Sequence, residues 1–543
     1  MVFARRSTTL LAAIIASCAM VLSLTACTSD NKTVVDGQTT VTSNSAGGVA
    51  VFTPSDGITL NQQTPLNKWA KLVPDLAKAL ADAGFKKGDI DHTTSDSLAK
   101  QSRAIQDFVV DHLSNNTTDD SGIAIAPDNM TLLVAPVVEA DASTRQYGDY
   151  ISQNLSTNDV TDEGATSDGE SSEDDSSKDD SSNTESDSTA SDEQAQAVDR
   201  LVSSLKLAKE SGMHVVLLGN SIEGYKPDAF VKFSDAQTIG KLQAEKMVSK
   251  LKLDKASKDN PKYIEVLLPY TAVDEKGNAN DSTFAQEAFR GIWQVLGSYY
   301  QKGVVESPSG TLDGKSTEND WQAVAYDAAK EGSTAKVLDK RLAKTDGQST
   351  LTRIDGIITM NDYIASEVVK ELDDLGYTGS AADINPQITI SGIVGNITGK
   401  KDLSRDAVPD PIKSPENDNA NDSSSSDDDA DEDTSASDKD RDSQWPLVTG
   451  YGAYVSNIPS IVNGKQWMTG MEDRQTIATD IAQACAKLNK DEALNSMPSI
   501  RNSEVGGVKK IPTISEPLLA VSASNLKSAL IDPGYISLAD AGL

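Results

Sequence analysis

Asp355-Gly356-Ile357-Ile358-Thr359-Met360-Asn361-Asp362 is a short apolar run that breaks into two polar residues, and Tyr363–Leu375 continues it with helical spacing. Ile357–Met360 has the length and branched composition of a strand buried on both faces. Asn361-Asp362 falls where that strand hands over to the helix. The same alternation recurs along the chain. Val49-Ala50-Val51-Phe52 reads as a strand, and Trp69, Leu72, Val73, Leu76 and Leu80 mark one face of a helix ending near Gly84. Leu132–Ala135 and Val215–Leu218 are strands around a helical stretch at Ala195–Ser211. Tyr263–Leu268 and Gly303–Glu306 flank another helix at Phe284–Leu296. Strand–helix alternation with apolar strands predicts an α/β fold with parallel sheets covered on both faces. A chain of 543 residues has room for two such doubly wound sheets. Ligands of such folds bind at the carboxyl ends of strands, where Asn361-Asp362 lies.

The N-terminus has the charged and apolar parts of a secretory signal, Arg5-Arg6 and then Leu10 to Leu24. Its ending, Leu24-Thr25-Ala26-Cys27, resembles the lipobox of bacterial lipoproteins, whose cysteine is lipidated and becomes the new N-terminus. The resemblance implies that residues 1–26 are removed and that Cys27 anchors the chain to the extracytoplasmic face of the cell membrane. Residues 27–48 are then a polar tether. Nothing later in the sequence is apolar for long enough to cross a bilayer. Only Cys485 would remain as a thiol, so no intrachain disulfide is expected. Cys485 shares a helical face with Ile477, Ile481 and Leu488 and reads as a small buried hydrophobe.

The formal net charge is −33. About two thirds of it sits in two Ser/Asp/Glu tracts, residues 158–193 and 416–442, whose composition predicts disordered inserts. The Asp-rich run 427–433 lacks the glycine and terminal glutamate spacing of a calcium loop. The remainder is mildly acidic, which argues against nucleic-acid binding. His92, His112 and His214 are the only histidines, and none is spaced with a nucleophile or as a metal ligand. No catalysis, metal or cofactor is therefore expected.

Several segments resemble the type I periplasmic-binding-protein family, in its xylose and multi-sugar ABC-importer branch. Val448-Thr449-Gly450-Tyr451-Gly452-Ala453, running on through Ile461-Val462-Asn463-Gly464-Lys465-Gln466-Trp467-Met468-Thr469, is similar to the family's V-T-G-Q-D-A, I-I-A-G-E-Q and following Thr. Asp355–Asp362 with Leu375-Gly376-Tyr377 resembles its D-G-I-I-A-x-N-D. Ser234-Asp235 to Gly240, with Leu242-Gln243-Ala244, matches S-D-N…G…L-Q-A, and Lys68-Trp69 stands for its Arg-Trp. Pro512–Ile514, Asn525–Lys527 and Asp532–Tyr535 resemble the closing segment.

The resemblance implies two α/β lobes joined by three crossovers, with a sugar or sugar-like solute held in the cleft between them. The N-lobe would comprise residues 48–232 and 454–490, the C-lobe 233–453 and 511–543. Either Gln387–Ile393 or Pro446–Gly450 would supply one C-lobe strand. A lipid-anchored monomer would deliver its solute to an ABC permease and ATPase. A pocket for sugar hydroxyls and C–H faces needs carboxylates, amides and tryptophan. By position these are Lys68, Trp69, Asp235, Asp281, Trp321, Asn361 and Asp362. Core packing competes for Trp69 and Trp321, helix capping for Asn361-Asp362, and hinge support for Asp235. The chain also departs from the family. Tyr451-Gly452 replaces Q-D, Gly219–Ile222 replaces Y-D-R-L, Glu472 replaces a basic residue, and Pro136–Glu139 replaces A-I-D-G. Glu139, Asn220, Tyr225 and Tyr451 are the candidate substitutes. These losses remove xylose as the expected ligand. They leave open a surface sugar sensor or scaffold that kept the fold and lost the transport ligand.

Overall fold

A computed structural model describes residues 46–55, 65–115, 125–138, 145–156, 184–273, 280–328, 330–343, 351–381 and 444–543. The signal, Cys27, the tether up to residue 45, Glu139, Gln387–Ile393, the tract 416–442 and residues 158–183 of the first tract lie outside the described residues.

The larger sheet has seven strands. They are β1 (Gly48–Pro54), β2 (Ile90–Ser95), β3 (Met130–Val134), β5 (His214–Leu218), β7 (Ala229–Lys232), β15 (Ile500–Val505) and β16 (Val508–Ser515). Short β4 (Asn154–Leu155) and β6 (Ser221–Ile222) pair with each other beside it. The spatial order is β15-β16-β7-β5-β3-β1-β2, parallel except for the hairpin strand β15. Alternation along β1 shows why the run is apolar throughout. Val49 and Val51 pack in the core under α1 (Trp69–Asp82) and the late helix Arg474–Leu488, whereas Ala50 and Phe52 pack in the core under α2 (Leu98–Asn115) and α3 (Thr184–Glu210). Both faces are covered, so a polar residue at any of these four positions would be buried without a partner. Cys485 is fully buried in the first of these cores, and burial pushes its thiol well above the usual range.

The smaller sheet orders β10 (Val305–Glu306), β8 (Lys262–Val266), β12 (Gly356–Ile358) and β13 (Leu447–Val448), all parallel. β9 (Leu268–Pro269), which follows β8 in the chain, pairs parallel with β11 (Ala325–Tyr326). Ile264, Val266 and Ile358 face α4 (Ala236–Lys250) and α5 (Thr283–Gln301). Ile357 and Val448 face α7 (Ser333–Arg341) and α8 (Asp362–Leu375). A single turn, α6 (Trp321–Val324), precedes β11. Of the two candidate segments for the last strand, Pro446–Gly450 supplies β13.

Three connections cross between the sheets: Phe233-Ser234-Asp235 from β7 to α4, Glu472-Asp473 from β14 (Met468–Met471) to Arg474–Leu488, and residues 516–518 from β16 to β17 (Leu519–Ser522). β14 and β17 pair antiparallel beside the crossings. A short helix, α9 (Ile458–Val462), precedes β14, which makes Arg474–Leu488 α10.

Three boundaries differ from the expected lobes. Residues 454–471 pack with the smaller sheet instead of the larger one. The Trp467 N–H donates to the Val448 carbonyl at 2.9 Å and the Gly470 N–H to the Gly450 carbonyl at 2.9 Å, so this segment extends the β13 edge. The return to the larger sheet comes only at Arg474, whose guanidinium meets Asp75 at 2.6 Å. Residues 511–515 lie in β16, beside β7, because Ile511 and Ile514 are buried in the larger sheet's cores and β7 would otherwise present a bare edge. Residues 184–193 are helical: α3 propagates backward from its packed face at Val198, Leu201 and Leu205 into the acidic tract.

Candidate functional site

The carboxyl ends of β5, β12 and β13 and the crossovers meet in one region, and the segment Gln146–Ser152 runs through it. The segment is held from both sheets. The Gln146 side-chain oxygen accepts from Asn361 Nδ2 at 3.1 Å, and its main-chain carbonyl accepts from the Tyr454 hydroxyl at 2.6 Å. Tyr147 is buried in the core of the smaller sheet, its ring 4.7 Å from Phe284 and 6.2 Å from Tyr451. Gly148 has φ +95, and a Cβ there would lie 2.5 Å from the Asn67 carbonyl oxygen, so only glycine makes this turn without strain. Asp149 ion-pairs with Lys68 at 2.7 Å and accepts the Trp69 N–H at 3.0 Å. Tyr150 stacks on Phe233 at 4.7 Å and meets the Trp69 ring edge-on at 5.1 Å, in the core of the larger sheet. Ser152 donates its N–H to the Ser234 carbonyl in the first crossover at 3.4 Å. One strap therefore joins both sheets and a crossover.

The expected site residues fall into distinct settings. Lys68 and Trp69 border the strap on the larger-sheet side, and Asn361 and Tyr451 border it on the other. Trp69 is 3% exposed. Asn361 caps α8, its oxygen accepting the Ile364 N–H at 2.9 Å, while its amide reaches the strap. One side chain thus caps the helix and holds the strap. Asp362 is fully buried. Its carboxylate accepts from the Tyr454 N–H at 2.9 Å, Gln466 Nε2 at 2.7 Å and the Thr469 hydroxyl at 2.9 Å. Burial pushes it up to about 6.

The remaining candidates are engaged elsewhere. Asn220 braces two loops, accepting the Gln153 N–H at 3.0 Å and donating to the Pro136 carbonyl at 2.9 Å. Asp235 caps α4 and pairs with Lys232 at 2.8 Å. Burial alone would raise its carboxyl, but the bonds from Lys232 and Thr238 outweigh that and hold it below the usual range. Asp281 is exposed and accepts the Thr283 N–H at 2.9 Å. Trp321 packs in the smaller sheet's core, edge-on to Tyr270 at 5.1 Å. Tyr225 is buried in the core beneath α2 and α3.

Sequence reasoning passed over the strap and the crossover cluster. The signal available for the strap was Tyr147-Gly148-Asp149-Tyr150, two aromatics around a glycine in an otherwise polar stretch. The cluster is built on Glu472, fully buried, which accepts the Ser234 N–H at 2.6 Å and the Tyr451 hydroxyl at 3.5 Å, while Tyr451 also hydrogen-bonds the Ser234 hydroxyl. Glu472 thus ties the second crossover to the first. Burial pushes its carboxyl up to about 7 against the bonds from Ser234 and Tyr451, and Asp235 adds to the rise.

A carboxyl raised in the folded state contributes stability that is fully present below its unfolded value, 4.5, and is lost as pH rises through about 7. Denaturant unfolding between pH 5 and 8 should show a loss of which Glu472→Gln removes on the order of 2–3 kcal/mol, the buried Asp362 accounting for a further part. A variant that falls in parallel with the wild type across this window would refute the assignment.

Cavities lined by Val138, Asn154 and Gln194 and by Asp228, Leu494 and Pro512 lie within the larger-sheet lobe, and neither is lined by a residue of the strap. Among the described residues, no group of three or more His, Cys, Asp or Glu is placed to hold a metal, and no helix is long and apolar enough to cross a membrane.

No family model and no curated protein matches the chain. Solved structures similar to it include an ABC-transporter solute-binding protein from Clostridium phytofermentans with bound β-D-glucose, at 17% identity, covering 91% of this chain and 99% of that one with a TM-score of 0.44. A carbohydrate-transporter solute-binding protein from Chloroflexus aurantiacus in complex with D-glucose has 18% identity, 92% and 98% coverage, and a TM-score of 0.43. A sugar ABC transporter from Actinomyces odontolyticus has 10% identity, 89% and 97% coverage, and a TM-score of 0.44. Superposition at this level gives no residue-by-residue equivalence, so the site rests on the geometry of this chain.

Proposed function

We propose that the chain is a lipid-anchored, monomeric solute-binding protein on the extracytoplasmic face of the membrane. It captures a sugar or sugar-like solute and presents it to an ABC permease and ATPase. The observation that carries this reading is the convergence of hydrogen-bonding and aromatic groups from both sheets on one region crossed by three connections. Lys68 and Trp69 approach from one sheet, Asn361, Tyr451 and Tyr454 from the other. A solute touching both groups would favour a closed arrangement of the lobes, giving a permease a shape to read. The role is binding without catalysis.

A thermal-shift screen against monosaccharides, oligosaccharides, polyols and nucleosides tests it. A solute at a hundred times its Kd adds about 2.7 kcal/mol, which for a protein of this size is a Tm rise of roughly 3 °C. The absence of any shift across the panel, for the wild type and for the strap variant Tyr147→Ala alike, would sink the transport reading.

A second reading is favoured by one specific observation: groups facing the cleft are satisfied by the strap. A surface sensor or scaffold that kept the fold without a transport ligand would be built this way. Co-purification separates the two readings, a permease and ATPase supporting transport and a sensor kinase supporting the alternative.

A further inference from the structure

We propose that the strap Gln146–Ser152 is an intramolecular ligand of the cleft, which holds the two lobes together in the absence of solute and must leave before a solute can enter. The proposal rests on the solute-binding reading for its biological meaning, but its structural content stands on the strap alone.

A solute that closes two lobes must do three things: satisfy polar groups on both sides, bury an apolar face against aromatics, and touch the connections between the lobes. The strap does all three. Its amide and carbonyl take the Asn361 and Tyr454 donors of the smaller-sheet side, and its carboxylate at Asp149 takes Lys68 and the Trp69 N–H of the other. Tyr147 presents a ring to Phe284 and Tyr451 as a sugar would present its C–H face. Ser152 ends the strap on the first crossover.

The two halves differ in how they are held. Asp149 and Tyr150 are joined to the larger-sheet lobe, from which the strap comes, by an ion pair, an N–H bond, two ring contacts and a bond from the Tyr150 hydroxyl to the Lys68 carbonyl at 2.5 Å. Gln146 and Tyr147 reach across to the other lobe by two hydrogen bonds and ring packing. Release should therefore occur at Gln146-Tyr147, with Gly148 as the swivel between the halves, since glycine adopts the alternative backbone conformations at no steric cost.

The consequence for affinity follows from population arithmetic. If the strap is out of the cleft in a fraction f of molecules, the apparent Kd of any solute is the intrinsic value divided by f. A strap released about one time in a hundred would weaken apparent binding about a hundredfold.

The test uses the full chain without solute. Small-angle scattering gives the radius of gyration, and hydrogen exchange follows the amides of residues 146–151, for the wild type, Tyr147→Ala and Tyr454→Phe. The expected result is a larger radius and faster exchange in both variants, with cooperative unfolding retained. Tyr454→Phe deletes one hydroxyl donor, so it decides the matter should Tyr147→Ala fail to fold. Wild-type radius and wild-type protection in the folded variants would overturn the proposal. Because no sugar is added, this outcome is independent of the solute screen. A screen that is silent for the wild type and positive for Tyr147→Ala would support the strap and the solute-binding reading together.

Discussion

Trp69→Ala should lower the unfolding free energy by about 3–5 kcal/mol, the range for removing a large aromatic from a well-packed core. Trp69 is 3% exposed and shares its core with Leu72, Leu76 and Leu218. Its ring meets Tyr150 at 5.1 Å and Phe233 at 5.7 Å, both edge-on, the arrangement that adds to simple area burial. The variant therefore leaves a cavity bounded by two rings that belong to the strap and to the first crossover. Neither can collapse into the space without loosening the cleft. Denaturant unfolding measures the loss, and Trp69→Phe should recover part of it. A Trp69→Ala protein of wild-type stability would mean that the ring is free to stack on a solute, as its position next to Lys68 first suggested.

Much of the architecture was legible because apolar runs and helical stripes report burial directly. Val49–Phe52, Leu132–Ala135, Val215–Leu218 and Ile357–Met360 all mark strands, since a parallel strand covered on both faces leaves no polar alternation to obscure the pattern. The hairpin Ile500–Ser515 was less visible because one of its strands is an edge with exposed Arg501, Asn502 and Glu504. The lobe boundaries were misplaced for a related reason. Residues 454–471 carry no long apolar run, and they join the smaller sheet through main-chain bonds such as Trp467 N–H to Val448, which depend on no side-chain type.

The site was legible in part. Strand-end position placed Asn361 at the carboxyl end of β12 and the family resemblance singled out Lys68, and both border the strap, but the side chains that touch them were not legible. Asp149, Gln146 and Tyr147 come from a segment between β3 and β5, and nothing in the local pattern says which way such a segment runs. Polar residues that read as ligand groups also serve structure. Asn220 and Asp235 have the right chemistry for a sugar hydroxyl and spend it on loop and helix-end hydrogen bonds. Composition alone does not distinguish the two uses, because both require the same donors and acceptors.

Asp362→Ala should cost about 3–5 kcal/mol of stability, an effect of the same size as Trp69→Ala with a different origin. No large volume is lost. Instead the Tyr454 N–H, Gln466 Nε2 and the Thr469 hydroxyl lose a buried acceptor together, and each buried donor left without one costs roughly 1–3 kcal/mol. Asp362 is the first residue of α8 and its carboxylate holds the segment 454–469 through Tyr454, Gln466 and Thr469, which is why the loss reaches beyond the helix end. Asp362→Asn keeps the shape but turns one oxygen into a donor facing Gln466 Nε2 or the Thr469 hydroxyl, and should cost about 1–3 kcal/mol. If Asp362 acted instead as an acceptor for solute hydroxyls, the same substitutions would weaken binding and spare folding. Unfolding and calorimetric titration of one protein preparation tell these apart. Gly450→Ala provides an independent probe, because its Cβ would lie 2.2 Å from Asp362 Oδ1 and 2.7 Å from Gln466 Nε2. It should displace the carboxylate and destabilise the wild type, yet cost far less once Asp362 is already alanine. That non-additivity is the mark of a shared network. Strictly additive losses would mean that Gly450 and Asp362 act separately, and that the carboxylate is not the pin that fixes this segment.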